Sequence, residues 1–243
     1  MDAAAMIPSP LTALLQGPLA PYSQKLFFEA GEGSEPAARL LEPGGLGGVL
    51  ARFAARYPAP ADPRAVASLW SKYHFSTWLV PALAANLLLD TDLPVALDEA
   101  GLRLAADGAT IGIEVADPGA PVGTDRFARI VDGHLAPLIE ELAKASGAAP
   151  RVFWGNAGAL MELALTRLRG GFPASPGLDA LAALLAAKLD AAGRPNPLHA
   201  PIRYTPERKR RVCCLRYPIR DLGFCGTCPL TEPARARLLA GGA

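Results

Sequence analysis

All four cysteines of the 243-residue chain follow Val212, as Cys213-Cys214, ten residues, then Cys225-Gly226-Thr227-Cys228. Four thiolates are the full complement of one structural Zn²⁺ or of one [2Fe–2S] cluster, which takes two per iron. The vicinal pair bears on the choice. Neighbouring side chains in extended backbone point to opposite sides, so Cys213 and Cys214 reach a single ion only through local distortion. A two-iron cluster has separated coordination positions and accepts such a pair more easily, whichever iron each cysteine takes. Zinc stays open as the alternative, ahead of unrelated buried thiols or disulfides. Gly223 and Gly226 lack a Cβ, so backbone N–H groups are free to approach the sulfurs and stabilise a reduced state.

Local charge supports redox chemistry. Between Arg203 and Arg220 stand seven basic residues and one acid, Glu207. Cations near an anionic centre favour uptake of an electron. Arg216 and Arg220, lying between the cysteine pairs, are the better candidates. The run Arg208–Arg211 reads more readily as a solvated face or a nucleic-acid stripe. The whole chain has 24 basic and 23 acidic residues and a net charge of +1, so no overall field points to nucleic acid or an anionic membrane. Phosphate-binding and dinucleotide-binding glycine motifs are absent from the sequence, as are H-E-x-x-H and G-x-S-x-G. A redox protein built on this chain therefore draws its electrons from another protein, and the basic run is where an acidic donor would dock.

The elements that must position the cysteines read as a mostly α body with a small antiparallel β-hairpin or sheet (α+β), ending in an irregular C-terminal iron–sulfur-binding tail. Two regions are expected: a helical substrate-binding body over 1–200 and a cluster-binding segment over 201–243. Residues 1–60 read as short helical pieces broken by Pro8, Pro10, Pro18, Pro21, Pro36, Pro43 and the Gly44–Gly48 cluster. Asp62 followed by Pro63 predicts a helix start, with Val66, Leu69, Trp70 and Tyr73 on its apolar face, until Pro81 kinks or ends it. A second buried segment follows over Ala82–Leu89. Between about 95 and 116 the period changes to that of strands, and Asp107-Gly108 predicts a type I′ hairpin turn. Helices are predicted over Thr124–Ser146, Phe153–Arg169 and Pro176–Ala192, with Gly147, Gly170 and Gly193 as caps.

The first 20 residues lack the basic start of a secretory leader. The apolar run from Trp78 to Leu89, interrupted by Pro81 and Asn86, falls short of the about 20 residues a membrane span needs. The expectation is a cytoplasmic protein with no transmembrane segment.

At the cysteines the sequence resembles the FhuF-like ferric siderophore reductases, through Cys213, Cys214, Cys225 and Cys228 at the same spacing and through Arg211, Tyr217, Gly223 and Pro229 around them. The body resembles that family through SLWSKYHFSTWLVPAL at 68–83, HLAPLIEEL at 134–142 and RVFWGNAGALMELAL at 151–165. The resemblance implies one-electron reduction of a ferric hydroxamate-type siderophore by a [2Fe–2S] cluster. Fe²⁺ would be released in the cytoplasm, with electrons supplied by a ferredoxin or flavoprotein. Hard oxygen donors hold Fe³⁺ far more tightly than Fe²⁺, so one electron loosens the chelate. Under that reading Trp70, Tyr73, His74, Arg151, Trp154 and Asn156 are candidate substrate-binding groups, with Arg216 and Arg220 beside the cluster. Each aromatic reads equally as core packing. Two other readings compete: a siderophore-binding or iron-sensing iron–sulfur protein without turnover, and a zinc-stapled module that binds nucleic acid.

Overall fold

The computed structural model describes residues 11, 13, 20–29, 31 and 33–240. The expectations placed on residues 1–10 and on Pro18 lie outside the described residues. The fold is mostly α with a small β part.

The organising element is helix α2, Pro63–Leu89, whose N-cap Asp62 accepts a hydrogen bond from the Arg64 N–H at 2.9 Å. Proline fits its first turn because that N–H has no intrahelical partner. Pro81 was expected to kink or end the helix, yet α2 continues through it as one 27-residue element. The residues on both sides of Pro81 are buried, so packing outweighs the about 3 kcal/mol that an internal proline costs. Around α2 lie α1 (Gly45–Ala54), α3 (Ala136–Ser146), α4 (Pro150–Gly171) and α5 (Pro176–Ala186). Trp70, Trp78, Phe53, Phe75 and Phe153 are the largest fully enclosed side chains of this core.

The Gly44–Gly48 cluster, read from the sequence as a break, contains the start of α1, with Gly44 in the left-handed region at φ 78° as its N-cap. Helix α1 persists because Leu46, Val49, Leu50 and Phe53 bury one face.

Four strands form the main sheet: β1 (Leu26–Phe27), β2 (Ser34–Pro36), β4 (Gly101–Leu104) and β5 (Thr110–Glu114), in the order β1-β5-β4-β2. The predicted hairpin is β4–β5, antiparallel as expected. Its turn is not type I′. Only Gly108 has a positive φ, 79°, while the Gly108 N–H reaches Ala105 O and the Ala105 N–H reaches Ala109 O. This is a type I turn closed by a glycine bulge, which needs one left-handed residue rather than two. Strands β1 and β2 come from the segment read as helical, and β1 pairs with β5 in parallel. At two and three residues they are too short to show an alternating pattern. Their register is fixed instead by buried Glu114, which accepts from Gly31 N–H, Ser34 Oγ and Arg103 Nε. Burial pushes the Glu114 carboxyl up, but these hydrogen bonds prevail and hold it below its ordinary range. A small pair, β3 (Thr91–Asp92) with β6 (Ala120–Pro121), completes this side.

The helix predicted over Thr124–Ser146 is divided. A short turn at Ala128–Ile130 leads into a π-helical segment, Val131–Leu135, before α3. Pro137 has no N–H to offer the carbonyl of Gly133, which instead accepts from Leu97 N–H at 3.0 Å. Gly147 caps α3 at φ 72° as predicted. Gly170 lies inside α4, which ends at Gly171, and α5 stops at Ala186. Beyond α5, Asp190 accepts from the Ala192 and Arg194 N–H groups, holding a turn that includes Gly193.

The tail carries more regular structure than expected: an antiparallel hairpin of β7 (Ile202–Tyr204) and β8 (Arg208–Arg210), then the cysteine segment, then α6 (Glu232–Ala240).

Candidate metal centre

The cysteine segment is held against the helical body by small residues and buried polar groups. On α4, a Cβ at Gly158 would stand 2.8 Å from Pro201, and one at Gly155 would stand 3.2 Å from Val212. The tail lies this close to the helix because those positions carry no side chain. One turn apart on α4, Glu162 takes hydrogen bonds from Tyr204 Oη and from Arg208 Nε and Nη2. The β7–β8 hairpin is thereby bound to the helix before the chain reaches the cysteines.

Four free thiols follow, with Cys214 and Cys228 buried and Cys213 and Cys225 half-buried. Cys214 Sγ donates to Cys225 Sγ at 3.5 Å. Cys213 interacts with Cys214 and Cys228, and Cys228 also with Cys225, so the four thiols lie in one cluster. Leu215, at φ 51°, turns the chain immediately afterwards, and its N–H approaches the Cys213 sulfur. The hydrogen bond from Cys214 depresses the Cys225 thiol, while that bond and burial push Cys214 upward. Burial raises Cys213. Among the described residues no group of three or more His, Cys, Asp or Glu side chains is placed to hold one metal ion. Two thiolates on one tetrahedral metal with bonds of about 2.3 Å lie about 3.7 Å apart. The 3.5 Å Cys214–Cys225 separation is close to that value, so this pair has the spacing of two thiolate ligands on one metal.

Arg210 is the buried cation of this site, only 6% exposed. Its Nη2 donates to Asn156 Oδ1, its Nε donates to Val212 O at 3.3 Å, and its backbone N–H donates to Thr227 O at 2.8 Å. Among the described residues no carboxylate forms an ion pair with it; the groups whose ionisation it favours are Cys214, Cys225 and Cys213. Burial lowers its pKa, and the three cysteines oppose that shift. Asn156 Nδ2 in turn donates to Ser68 Oγ, Ser68 O and Ser71 Oγ, and Ser68 Oγ donates to Cys214 O at 2.7 Å. A continuous polar network therefore joins α2, α4 and the cysteine segment. From the other side, Arg235 of α6 donates to Cys228 O at 3.2 Å.

The residues singled out in the sequence are dispersed. Arg216 is half-buried, with its charge felt at Tyr57, and Arg220 is exposed. The cations acting on the Cys214–Cys225 pair are Lys72 and Arg210. The basic run is no bare stripe: Arg208 is paired with Glu162, Lys209 with Glu207 at 2.7 Å, and Arg210 is buried. Gly223 has a positive φ of 57°, and a Cβ at Gly226 would meet open space, so neither glycine is needed for close packing at the sulfurs.

Trp70 and His74 are fully enclosed and present no face to a ligand. Their i, i+4 stack has a centroid separation of 4.6 Å and continues to Trp78 and His134. These are core rings: Trp70 Nε1 donates to Gly108 O, and His74 bonds Thr110 Oγ1 and His134 Nε2. Tyr73 is 50% exposed and packs edge-on to Phe53. Asn156 belongs to the buried network. Arg151 lines a cleft beside Val212, and Trp154 lines an adjoining trough. Ser68, Ser71 and Lys72 were missed by the sequence reading. The signal available for the serines was a polar i, i+3 pair inside an otherwise apolar helix face.

A family model described as ferric iron reductase FhuF-like transporter matches residues 68–212. The chain belongs to the FhuF-like ferric iron reductase family. The match begins at Ser68 and ends at Val212, so it covers the helices that receive the cysteine segment and stops one residue before Cys213. A curated relative, the ferric siderophore reductase of Escherichia coli (strain K12), is 25% identical over 171 residues, covering 67% of this chain. The alignment spans 64% of that relative's length, less than two thirds. Among the described residues of this FhuF-like chain, no helix is long and apolar enough to cross a membrane.

Proposed function

We propose that this FhuF-like protein is a cytoplasmic ferric siderophore reductase in which Cys213, Cys214, Cys225 and Cys228 hold a [2Fe–2S] cluster. The observation that carries the reading is the gathering of the four thiols beside buried Arg210, with Cys214 and Cys225 only 3.5 Å apart. Family membership supports the ferric iron chemistry, and the name of the E. coli relative suggests a siderophore complex as the substrate. When bound, the cluster supplies a one-electron centre. The chain's own contribution is electrostatic and positional. Arg210 and Lys72 place positive charge near the Cys214–Cys225 pair, which offsets the added negative charge of a reduced state. Burial of Cys214 and Cys228 keeps water from two of the sulfurs, and Ser68 and Asn156 fix the segment that carries them.

The reaction balances as one electron from an external ferredoxin or flavoprotein to the chelated iron, Fe³⁺ becoming Fe²⁺. The oxygen donors then lose most of their affinity and the ion leaves.

The test is iron and acid-labile sulfide content of anaerobically purified protein, with the visible spectrum of the reduced form followed on adding a ferric hydroxamate. Equal iron and sulfide, reversion of the spectrum and appearance of Fe²⁺ are expected. One zinc with no sulfide overturns the proposal. Iron and sulfide with chelate binding but no reoxidation would make it a sensor or binding protein instead.

A further inference from the structure

Beside Val212, one residue from Cys213, a cleft of ≈ 280 Å³ opens between the start of α4 and the chain that follows α5. Its charged lining is Arg151 and Arg211, with His199 and Asn196 between them and no acidic residue. Arg151 is exposed and, among the described residues, makes no ion pair or hydrogen bond. Arg211 spends one guanidinium N–H on His199 O at 3.2 Å and is otherwise free. The Nδ1 of His199 is enclosed without a hydrogen-bond partner. The back wall is Gly155: a Cβ there would stand 3.2 Å from Val212 and 3.8 Å from Arg210 Nη2. The cleft is thus separated from the buried cation of the cysteine site by the bare backbone of one helical turn.

Asn196 and Pro197 line both this cleft and a mostly apolar trough of ≈ 650 Å³, whose walls include Trp154, Leu184 and Leu198, with Asp125, Asp132 and the Asp190–Arg194 ion pair also in its lining. Exposed Leu189 stands at its edge. A small cationic cleft joined to a larger apolar trough suits a ligand that is anionic and oxygen-rich at one end and carries an organic scaffold.

We infer that the Arg151–His199–Arg211 cleft binds the oxygen face of a ferric chelate bearing net negative charge, with the chelator's scaffold lying along the Trp154 trough. The inference rests on the ferric siderophore reading above and gives that reading a site and a charge preference. Two unpaired guanidiniums set toward one cavity favour an anionic complex over a neutral one of similar size. The position also presents the chelated iron to the segment that carries Cys213, which a one-electron transfer requires.

The test uses redox-inert gallium(III) complexes, so that binding is read without turnover. A trianionic tris-catecholate complex and a neutral tris-hydroxamate complex are titrated against the full chain, with tryptophan fluorescence and calorimetry as readouts. The anionic complex is expected to bind about tenfold more tightly at low salt, the margin shrinking as salt rises. Arg151→Glu and Arg211→Glu should each weaken it by about tenfold or more and erase the preference, with iron and sulfide content and helical circular dichroism unchanged. Arg151 has no partner to lose, so its replacement leaves the fold intact; Arg151→Lys should restore part of the affinity. Equal binding of both complexes overturns the charge preference. Anionic-complex binding untouched by both substitutions overturns the site while leaving the reductase reading standing. Failure of both complexes to bind the unmodified protein overturns both readings.

Discussion

Arg210 donates from Nη2 to Asn156 Oδ1 across the join between the cysteine segment and α4. One guanidinium therefore meets a helix-borne amide on one side and thiols on the other, with no carboxylate in between. A buried charge survives only if something compensates it. On the proposed reading the compensation is the loaded sulfur centre, so the charge on Arg210 and the charge on the sulfurs are mutually dependent.

Arg210→Gln removes that charge and keeps an amide that can reach Asn156. The midpoint potential of the centre should fall, on the order of tens of millivolts, because an electron then enters a less positive surrounding. Retention of iron under a chelator challenge should fall with it. A redox titration with an unchanged midpoint would place Arg210 too far from the sulfurs to matter.

Cys214→Ser and Cys225→Ser each break one thiol pair. Iron and sulfide content should drop several-fold while far-ultraviolet circular dichroism of the helices stays near that of the parent. Collapse of the helical signal would contradict the division into a self-sufficient body over 1–200 and a metal-binding segment over 201–243.

Glu162 is nearly buried, 9% exposed, and receives Arg208 and Tyr204 of the tail hairpin. Glu162→Ala leaves the Arg208 guanidinium without its counter-ion, at a cost of about 3 kcal/mol. The midpoint of urea unfolding should move accordingly. The hairpin should also become more open to proteolysis between Tyr204 and Arg208, upstream of the first cysteine.

His74 and His134 are fully buried against one another, Nε2 to Nε2 at 3.1 Å. Burial lowers His74 to about 3 and holds His134 well below its ordinary value, with the neighbouring His74 charge adding to the effect. Both are neutral when folded, whereas each takes up a proton near pH 6.5 when unfolded. The unfolded state then binds more protons, so stability rises with pH across this window and is lost as pH drops below about 6.5. Two such groups give a slope of about 2.7 kcal/mol per pH unit. His74→Gln, which cannot titrate, should halve the slope between pH 6 and 4 in urea unfolding monitored by circular dichroism. An unaltered slope would assign the acid sensitivity to other groups.

Much of this site was legible because it is encoded by residue type at fixed spacing. The four cysteines mark a candidate metal centre by type and spacing, and the structure brings them together as that spacing suggests. Asp62-Pro63 gave away the start of α2 through local capping, and Gly147 the end of α3. The substrate candidates were another matter. Trp70 and His74 have the spacing of a shared helix face, but whether that face meets solvent or core depends on α3 and the π-helical segment, which arrive from distant sequence. Arg210 was hidden in a basic run because one-dimensional charge density cannot tell a buried guanidinium from Arg208 beside it, paired to Glu162. Strands β1 and β2 left no period to read, since Glu114, about eighty residues away in the chain, sets their register.

The polar socket also has a temporal meaning. Ser68 precedes Cys214 by 146 residues. At ribosomal rates of about 5–20 residues per second, α2 emerges about 7–30 s before the first sulfur that rests on it. Asn156 follows in time to complete the receiving surface, and the thiols come last. On the proposed reading a nascent chain meets its metal only after the receiving helices have been made, so loading of the centre follows their assembly rather than nucleating it.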